Sequence, residues 1–210
     1  MILAIALALQ AQAAPAPRFE KEVARFEAAD RDSMPPRNAI LFVGSSTIER
    51  WKDLKNDFPS VPIIQRGIGS TRLDDFVRFT RRIVIPYHPR QIVLYAGDND
   101  FADGQSPMNV YGDFKDFVRI VHRALPETEI VFVSIKPSPS RWRLASRMRE
   151  ANDLIKRYVN KNKRLKYVDI FNPMLGANGH PRPELFVDDS LHMSPAGYAL
   201  WTHILQPVVK

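Results

Sequence analysis

The sequence contains no cysteine and only 9 glycines in 210 residues. Without cysteine there are no disulfides, thiolate zinc sites, iron–sulfur clusters or cysteine nucleophiles. Glycine stands at about 4% against a usual ~7%, so each one marks a backbone position that needs special geometry or a close approach. Long apolar runs are missing too. The apolar stretch over residues 2–9 falls well short of the ~20 residues that a membrane-spanning helix needs. What is present is ordinary globular material: 45% hydrophobic and 25% charged residues. At ~100–200 residues per domain the length fits one domain, or one domain with a tail, which buries roughly 70% of its unfolded surface.

Two features stand out against that background. Proline is abundant, with 17 residues spread along the chain, which argues against a low-complexity linker. The net charge is +7, compatible with nucleic acid, an anionic envelope surface or an anionic substrate. The densest basic run, Lys161-Asn162-Lys163-Arg164, has no interleaved aromatics, so it reads as a solvated face rather than a nucleic-acid patch. At the amino terminus the apolar run leads into Gln10-Ala11-Gln12-Ala13-Ala14-Pro15. An apolar run followed by Ala-x-Ala predicts a signal peptide over residues 1–13 and export to the periplasm or medium, the alternative being an apolar tail on a cytoplasmic protein. No Lys or Arg precedes the run, which departs from that pattern.

From residue 18 onward, short apolar runs alternate with helical patterns. The runs 39–43, 61–65, 91–96, 129–135 and 165–170 are rich in branched and aromatic residues, as expected of strands buried on both faces of a parallel sheet. Helical spacing is predicted over 18–30, 113–125 and 143–160. Ser194-Pro195 opens a last helix as cap and first residue. The alternation predicts a doubly wound α/β sheet within one domain over 39–210, preceded by a segment and helix over 14–38. Ligands of such sheets bind beyond the carboxyl ends of the strands, so the loops there carry the chemistry.

Four of those loops are distinctive. Gly44-Ser45-Ser46-Thr47 follows the first strand and either presents a hydroxyl nucleophile or caps a helix. No G-x-S-x-G occurs, which argues against an α/β-hydrolase elbow. Arg66-Gly67-Ile68-Gly69-Ser70-Thr71 follows the second. It is half a dinucleotide fingerprint without the third glycine, or a loop whose backbone N–H groups face a site. Gly97-Asp98-Asn99-Asp100 follows the third and offers either a plain turn or a carboxamide oxyanion donor. Near the carboxyl end, Asp189 lies three residues before His192. That spacing lets a carboxylate fix the imidazole tautomer, although a metal-binding or solvated loop reads the same way.

Taken together and in order, the four loops resemble the conserved blocks of the SGNH hydrolases, the GDSL-type esterases and lipases. Gly44-Ser45-Ser46-Thr47 stands where that family has G-D-S-L, with Ser45 in place of the usual Asp, similar to a G-S-S-S branch. Gly97, Asn99 and Asp100 match G-x-N-D, and Asp189 and His192 match D-x-x-H. The resemblance implies a flavodoxin-like three-layer α/β/α sandwich around a parallel sheet of about five strands. It implies Ser46 as nucleophile, His192 as base and Asp189 as its orienting carboxylate. It implies an oxyanion hole from the N–H of Ser46, the N–H of Ser70 and the Asn99 carboxamide, with Gly69 as the alternative donor. It implies no metal and no organic cofactor.

Arg50-Trp51 and Lys136-Pro137-Ser138-Pro139-Ser140-Arg141-Trp142 resemble an uncharacterised bacterial subgroup of that family, from which no substrate carries over. Arg141 and Trp142 either line the substrate as fork donor and stacking face, or Trp142 packs beneath the following helix. The implied activity is hydrolysis of small acyl esters, for example acetyl, on a small-molecule or carbohydrate alcohol. A catalytically silent binding protein of the same fold and a lysophospholipase are the alternatives, and nucleic acid is not an expected partner.

Overall fold

The computed structural model of the protein describes residues 18–210. The proposed signal peptide lies outside the described residues. The chain forms α1 (Glu20–Asp32), β1 (Ile40–Gly44), α2 (Ser46–Glu49), α3 (Leu54–Asp57), β2 (Ile63–Gly67), α4 (Leu73–Ile83), β3 (Gln91–Tyr95), α5 (Asp98–Ala102), α6 (Pro107–Ala124), β4 (Glu129–Val133), α7 (Ala145–Val159), β5 (Leu165–Val168) and α8 (Pro195–Leu205). Short 3₁₀ turns cover Ile85–Tyr87, Pro139–Leu144 and Pro183–Leu185.

The five strands form one parallel sheet in the order β2-β1-β3-β4-β5, the flavodoxin-like winding. Successive side chains of a strand point to opposite faces, and two apolar layers follow from that. Leu41, Val43, Ile92 and Leu94 join one core with residues of α1, α4, α6 and α7. Ile40, Phe42, Val93 and Tyr95 join the other, with Trp51 and Trp201 from the α2–α3 connection and α8. Every residue of β1 and β3 is buried, which explains why these strands read as unbroken apolar runs. The result is the expected three-layer sandwich.

Each expected strand is present, with ends shifted by a few residues. β5 stops at Val168 rather than at residue 170. The last helix starts as its sequence indicates, with the Ser194 side chain accepting from the Gly197 N–H. α6 begins at Pro107, earlier than the expected residue 113, because Ser106-Pro107 repeats that same signature and the Ser106 side chain accepts from the Asn109 N–H. α4 was not among the expected elements. Its buried Leu73, Phe76, Phe79 and Ile83 form a stripe at helical spacing. Asp74 and Asp75 at its start and Arg81 and Arg82 at its end complement the helix dipole.

β1 sits between β2 and β3, so the chain winds in opposite directions on either side of it. The carboxyl ends of β1 and β3 diverge into loops at this switch point, where open α/β sheets bind ligands. Gly44 pairs in register with both Gly67 and Tyr95. A Cβ on Gly67 would stand 2.1 Å from the Glu49 backbone nitrogen, so α2 can rest on β2 only because that position is glycine. Gly67→Ala should therefore destabilise the protein by about 1–3 kcal/mol, read as a lower urea midpoint with an unchanged slope.

Candidate active site

Ser46 is the first residue of α2, directly after β1. Ser45 enters the turn by donating its N–H to the Tyr95 carbonyl at 3.1 Å, which fixes where Ser46 leaves the sheet. The Ser46 Oγ lies 3.1 Å from His192 Nε2, across 146 residues of chain.

His192 belongs to a tight loop rather than to a helix or strand. Phe186 and Met193 form an isolated bridge, and Val187 N–H donates to the His192 carbonyl at 2.9 Å. Inside the loop, Ser190 N–H donates to the Val187 carbonyl at 2.8 Å. Ser190 takes a left-handed φ of 56° to complete the turn.

Asp189 Oδ1 accepts from the N–H groups of Leu191 at 2.9 Å and His192 at 2.8 Å. Its Oδ2 lies 2.5 Å from His192 Nδ1. Desolvation opposes the Asp189 charge, but the hydrogen bonds from the His192 ring and the two backbone N–H groups outweigh it and hold the carboxyl well below its usual range. An ionised carboxylate only accepts, so Nδ1 must carry the proton. Nε2 is then left as the acceptor facing the Ser46 hydroxyl. This hydroxyl–imidazole–carboxylate arrangement can activate an oxygen nucleophile.

The remaining sequence-derived residues lie on the two neighbouring loops. Asn99 is in α5, after β3, and donates Nδ2 to the Thr71 carbonyl at 2.9 Å. Asp100 accepts at both carboxylate oxygens from the Leu73 N–H, at 3.1 and 3.3 Å. Two adjacent side chains of the β3 loop thus hold the β2 loop in place. Gly97-Asp98-Asn99-Asp100 is accordingly no plain turn. Gly97, with φ 125°, caps a short helix that runs on through Ala102.

The backbone N–H groups of Ser46, Gly69 and Ser70 donate to no protein acceptor among the described residues. Ser70 sits at φ 63°, a left-handed conformation that costs about 1–2 kcal/mol for a residue with a side chain. A glycine would adopt this conformation without that cost. The Arg18 guanidinium donates to the Ser70 carbonyl at 2.7 Å.

Arg141 and Trp142 lie in the 3₁₀ segment after β4. Trp142 packs against the α6–α7 core and against the His180 ring at 5.1 Å. Arg141 Nη1 lies 3.4 Å from Asp98 Oδ2. Asp98 and its second cationic partner, Lys136, are both buried, with side chains 5% and 1% exposed. Lys136 was not singled out from the sequence as a site residue. The available signal was a lysine directly after an apolar strand, since a fully buried lysine is rare unless paired. Beside His192, a cleft of about 700 Å³ is lined by Arg50, Trp51, Lys52, Val187 and Tyr198. Among the described residues, no group of three or more His, Asp or Glu is placed to hold a metal ion, and no helix is long and apolar enough to cross a membrane.

A serine–histidine–aspartate constellation at the switch point of a flavodoxin-like sheet defines a hydrolase of the SGNH type. The profile of the GDSL-like Lipase/Acylhydrolase family matches residues 42–200, and the chain belongs to that family. Solved structures agree on the fold. A Streptococcus pneumonia structure provisionally assigned to platelet activating factor superposes with a TM-score of 0.81 at 22% identity, over 91% of this chain and 92% of that one. A GDSL-like lipase from Bacteroides thetaiotaomicron gives 0.76 at 21% identity, over 89% and 96%. An acetyl-xylooligosaccharide esterase from Geobacillus gives 0.65 at 14% identity, over 81% and 94%. A search of curated proteins returned no match.

Asp100 supplies a pH test of the loop contact. Burial raises its pKa to about 7, against the opposing hydrogen bond from Leu73. A carboxyl whose folded pKa lies above its unfolded value contributes stability that is present below about pH 4 and lost as pH rises through the folded pKa. Stability should therefore fall between about pH 4 and pH 7, by an amount on the order of a few kcal/mol. Asp113, raised to about 6 mainly by burial, acts in the same direction. Asp100→Asn should flatten most of this slope in urea melts across that range.

Proposed function

We propose that the protein is a serine esterase that hydrolyses small acyl esters through an acyl-enzyme. The observation that carries this reading is the continuous relay from Ser46 Oγ to His192 Nε2 at 3.1 Å and from His192 Nδ1 to Asp189 at 2.5 Å.

Ser46 Oγ attacks the ester carbonyl carbon while its proton passes to His192 Nε2. Asp189 holds the ring in the required tautomer and stabilises the imidazolium. The carbonyl oxygen becomes an oxyanion, met by the N–H groups of Ser46 and of Ser70 or Gly69, and by the Asn99 carboxamide. Collapse of this adduct breaks the bond to the alcohol, which leaves with the proton held by His192. Water then repeats the sequence on the acyl-enzyme. It gives its proton to Nε2, releases the carboxylic acid and restores the Ser46 hydroxyl.

The preference for small acyl groups rests on the rim of the cleft. Glu49, Arg50, Lys52 and Asp53 contribute to its lining and are exposed, so a long acyl chain there would desolvate charges without pairing them. Val187, Met193, Pro195 and Tyr198 supply the apolar part of the lining beside His192, against which a short acyl group packs. The structural neighbour named as an acetyl-xylooligosaccharide esterase fits a short acyl group on a polar alcohol.

Purified protein should hydrolyse p-nitrophenyl acetate faster than esters with long acyl chains. Ser46→Ala should remove this activity while leaving the thermal midpoint in place; turnover that survives the substitution refutes the nucleophile assignment. Asn99→Ala should lower kcat by about 10²–10³-fold, with a smaller change in KM.

A further inference from the structure

Lys136 has no part in the proton relay, yet its ammonium group is placed against both halves of the site. Nζ donates to Asp98 Oδ2 at 3.2 Å and to the Leu191 carbonyl at 3.0 Å. Asp98 directly precedes Asn99, and Leu191 directly precedes His192. One buried cation therefore joins the neighbour of the oxyanion carboxamide to the neighbour of the base. The same segment makes a second tie to the base loop, from Ser140 N–H to the Ser190 carbonyl at 3.1 Å. The Phe186 ring at the foot of that loop lies 6.0 Å from Nζ.

A contribution to stability does not account for this arrangement. Burying an ion pair costs desolvation that its attraction barely repays, and apolar replacements of such pairs are often neutral or stabilising. Geometry does account for it. His192 is carried by a loop whose internal bonds shape it but do not attach it to the sheet. Asn99 is attached to the sheet through β3. Their separation has to match one tetrahedral adduct, and a displacement of about 1 Å can cost 10²-fold in rate.

Resting on the esterase reading above, we propose that Lys136, with Asp98 as its counter-charge, is a positioning residue that sets the base loop against the oxyanion element. Its ammonium touches no reacting atom. Its unbranched stem carries one charge from the segment after β4 to both loops. Arg141, 3.4 Å from the same Asp98 oxygen, shares the counter-charge without reaching the Leu191 carbonyl.

The test compares Lys136→Met and Lys136→Met/Asp98→Asn with wild type, using Lys166→Met as control. The control removes the 2.8 Å pair between Lys166 and Glu129, which lies away from the carboxyl ends of the strands. Three readouts are followed: kcat and KM on p-nitrophenyl acetate, the thermal midpoint, and the low-field proton resonance of the His192 Nδ1–H to Asp189 bond. Lys136→Met leaves Asp98 buried without its ammonium partner and should lower the midpoint, whereas Lys136→Met/Asp98→Asn should keep it within a few degrees. Both should lose about 10²-fold in kcat at little-changed KM, and broaden or shift the resonance. The control should match wild type throughout. Unchanged kcat and resonance overturn the proposal. Failure of both variants to fold also overturns it, because the pair would then be a stability element. The resonance needs no turnover, so it separates failure of this inference from failure of the esterase reading, which is judged on wild type and Ser46→Ala.

Discussion

The site depends on the pairing of β1 with β3 in register, Gly44 opposite Tyr95. Strand order alone brings the two loops together, but this register sets how far each chain has travelled when it leaves the sheet. The Ser45 N–H bonds to the Tyr95 carbonyl, so Ser46 emerges two residues past the last paired position, Gly44. Asn99 emerges four residues past Tyr95, on a short helix. Each loop is one short turn from a buried strand, and the rigidity of the sheet passes to both side chains. A slip of one residue would reverse every side chain of β1. It would move the 0%-exposed Leu41 and Val43 into the opposite layer, so the apolar alternation that builds the core also fixes Ser46.

Hydrogen bonding accounts for the rest of the geometry by assigning each polar group a single state. Asp189 stays ionised because its side chain remains 45% exposed and two backbone N–H groups and one ring N–H converge on it. That charge fixes the imidazole tautomer, and the tautomer fixes which nitrogen faces Ser46. Asp98 is held below its usual pKa range against desolvation by Lys136 and Arg141. Asp100, two residues on, has no cationic partner of that kind among the described residues and is pushed upward by burial. The two aspartates of one short loop thus hold opposite protonation preferences. One anchors a cation, and the other accepts from a helix N-terminus.

The fold was legible because parallel strands buried on both faces have no polar face to conceal. Five apolar runs became five strands, and the scarce Gly44, Gly67 and Gly97 all fall at their carboxyl ends. Ser46, Asn99, Asp189 and His192 were legible for a related reason: each sits in a short motif whose residue types have few other uses in combination. The left-handed φ of Ser70 was not visible, since serine does not advertise it as glycine would. Lys136 was less visible still. Its partners are 38 and 55 residues away, and a lysine in a loop reads as solvent-facing until burial shows otherwise. Long-range polar pairs between loops leave no periodicity in a sequence, whereas apolar layers do.

That difference bears on how the two ends of the relay are built. The Ser46 end is covalently continuous with β1, and α2 is held further by Gln65 Nε2 donating to the Ile48 carbonyl at 2.6 Å and the Tyr198 hydroxyl donating to the Thr47 carbonyl at 3.0 Å. The His192 end is an eight-residue excursion with no helix or strand of its own between Leu185 and Ser194, and it is bounded by the Ser194 N–H to Leu185 carbonyl bond. Such a segment holds its internal shape through local bonds, but its placement has to come from outside. Apolar contacts supply part of it, because Phe186 and Met193 are buried against α8 and the Trp51 cluster. Apolar contact is non-directional and tolerates small slides. A charged donor bonded to one carboxylate oxygen and one carbonyl does not. A directional, buried contact is therefore what the loop carrying His192 needs, and Lys136 supplies it there.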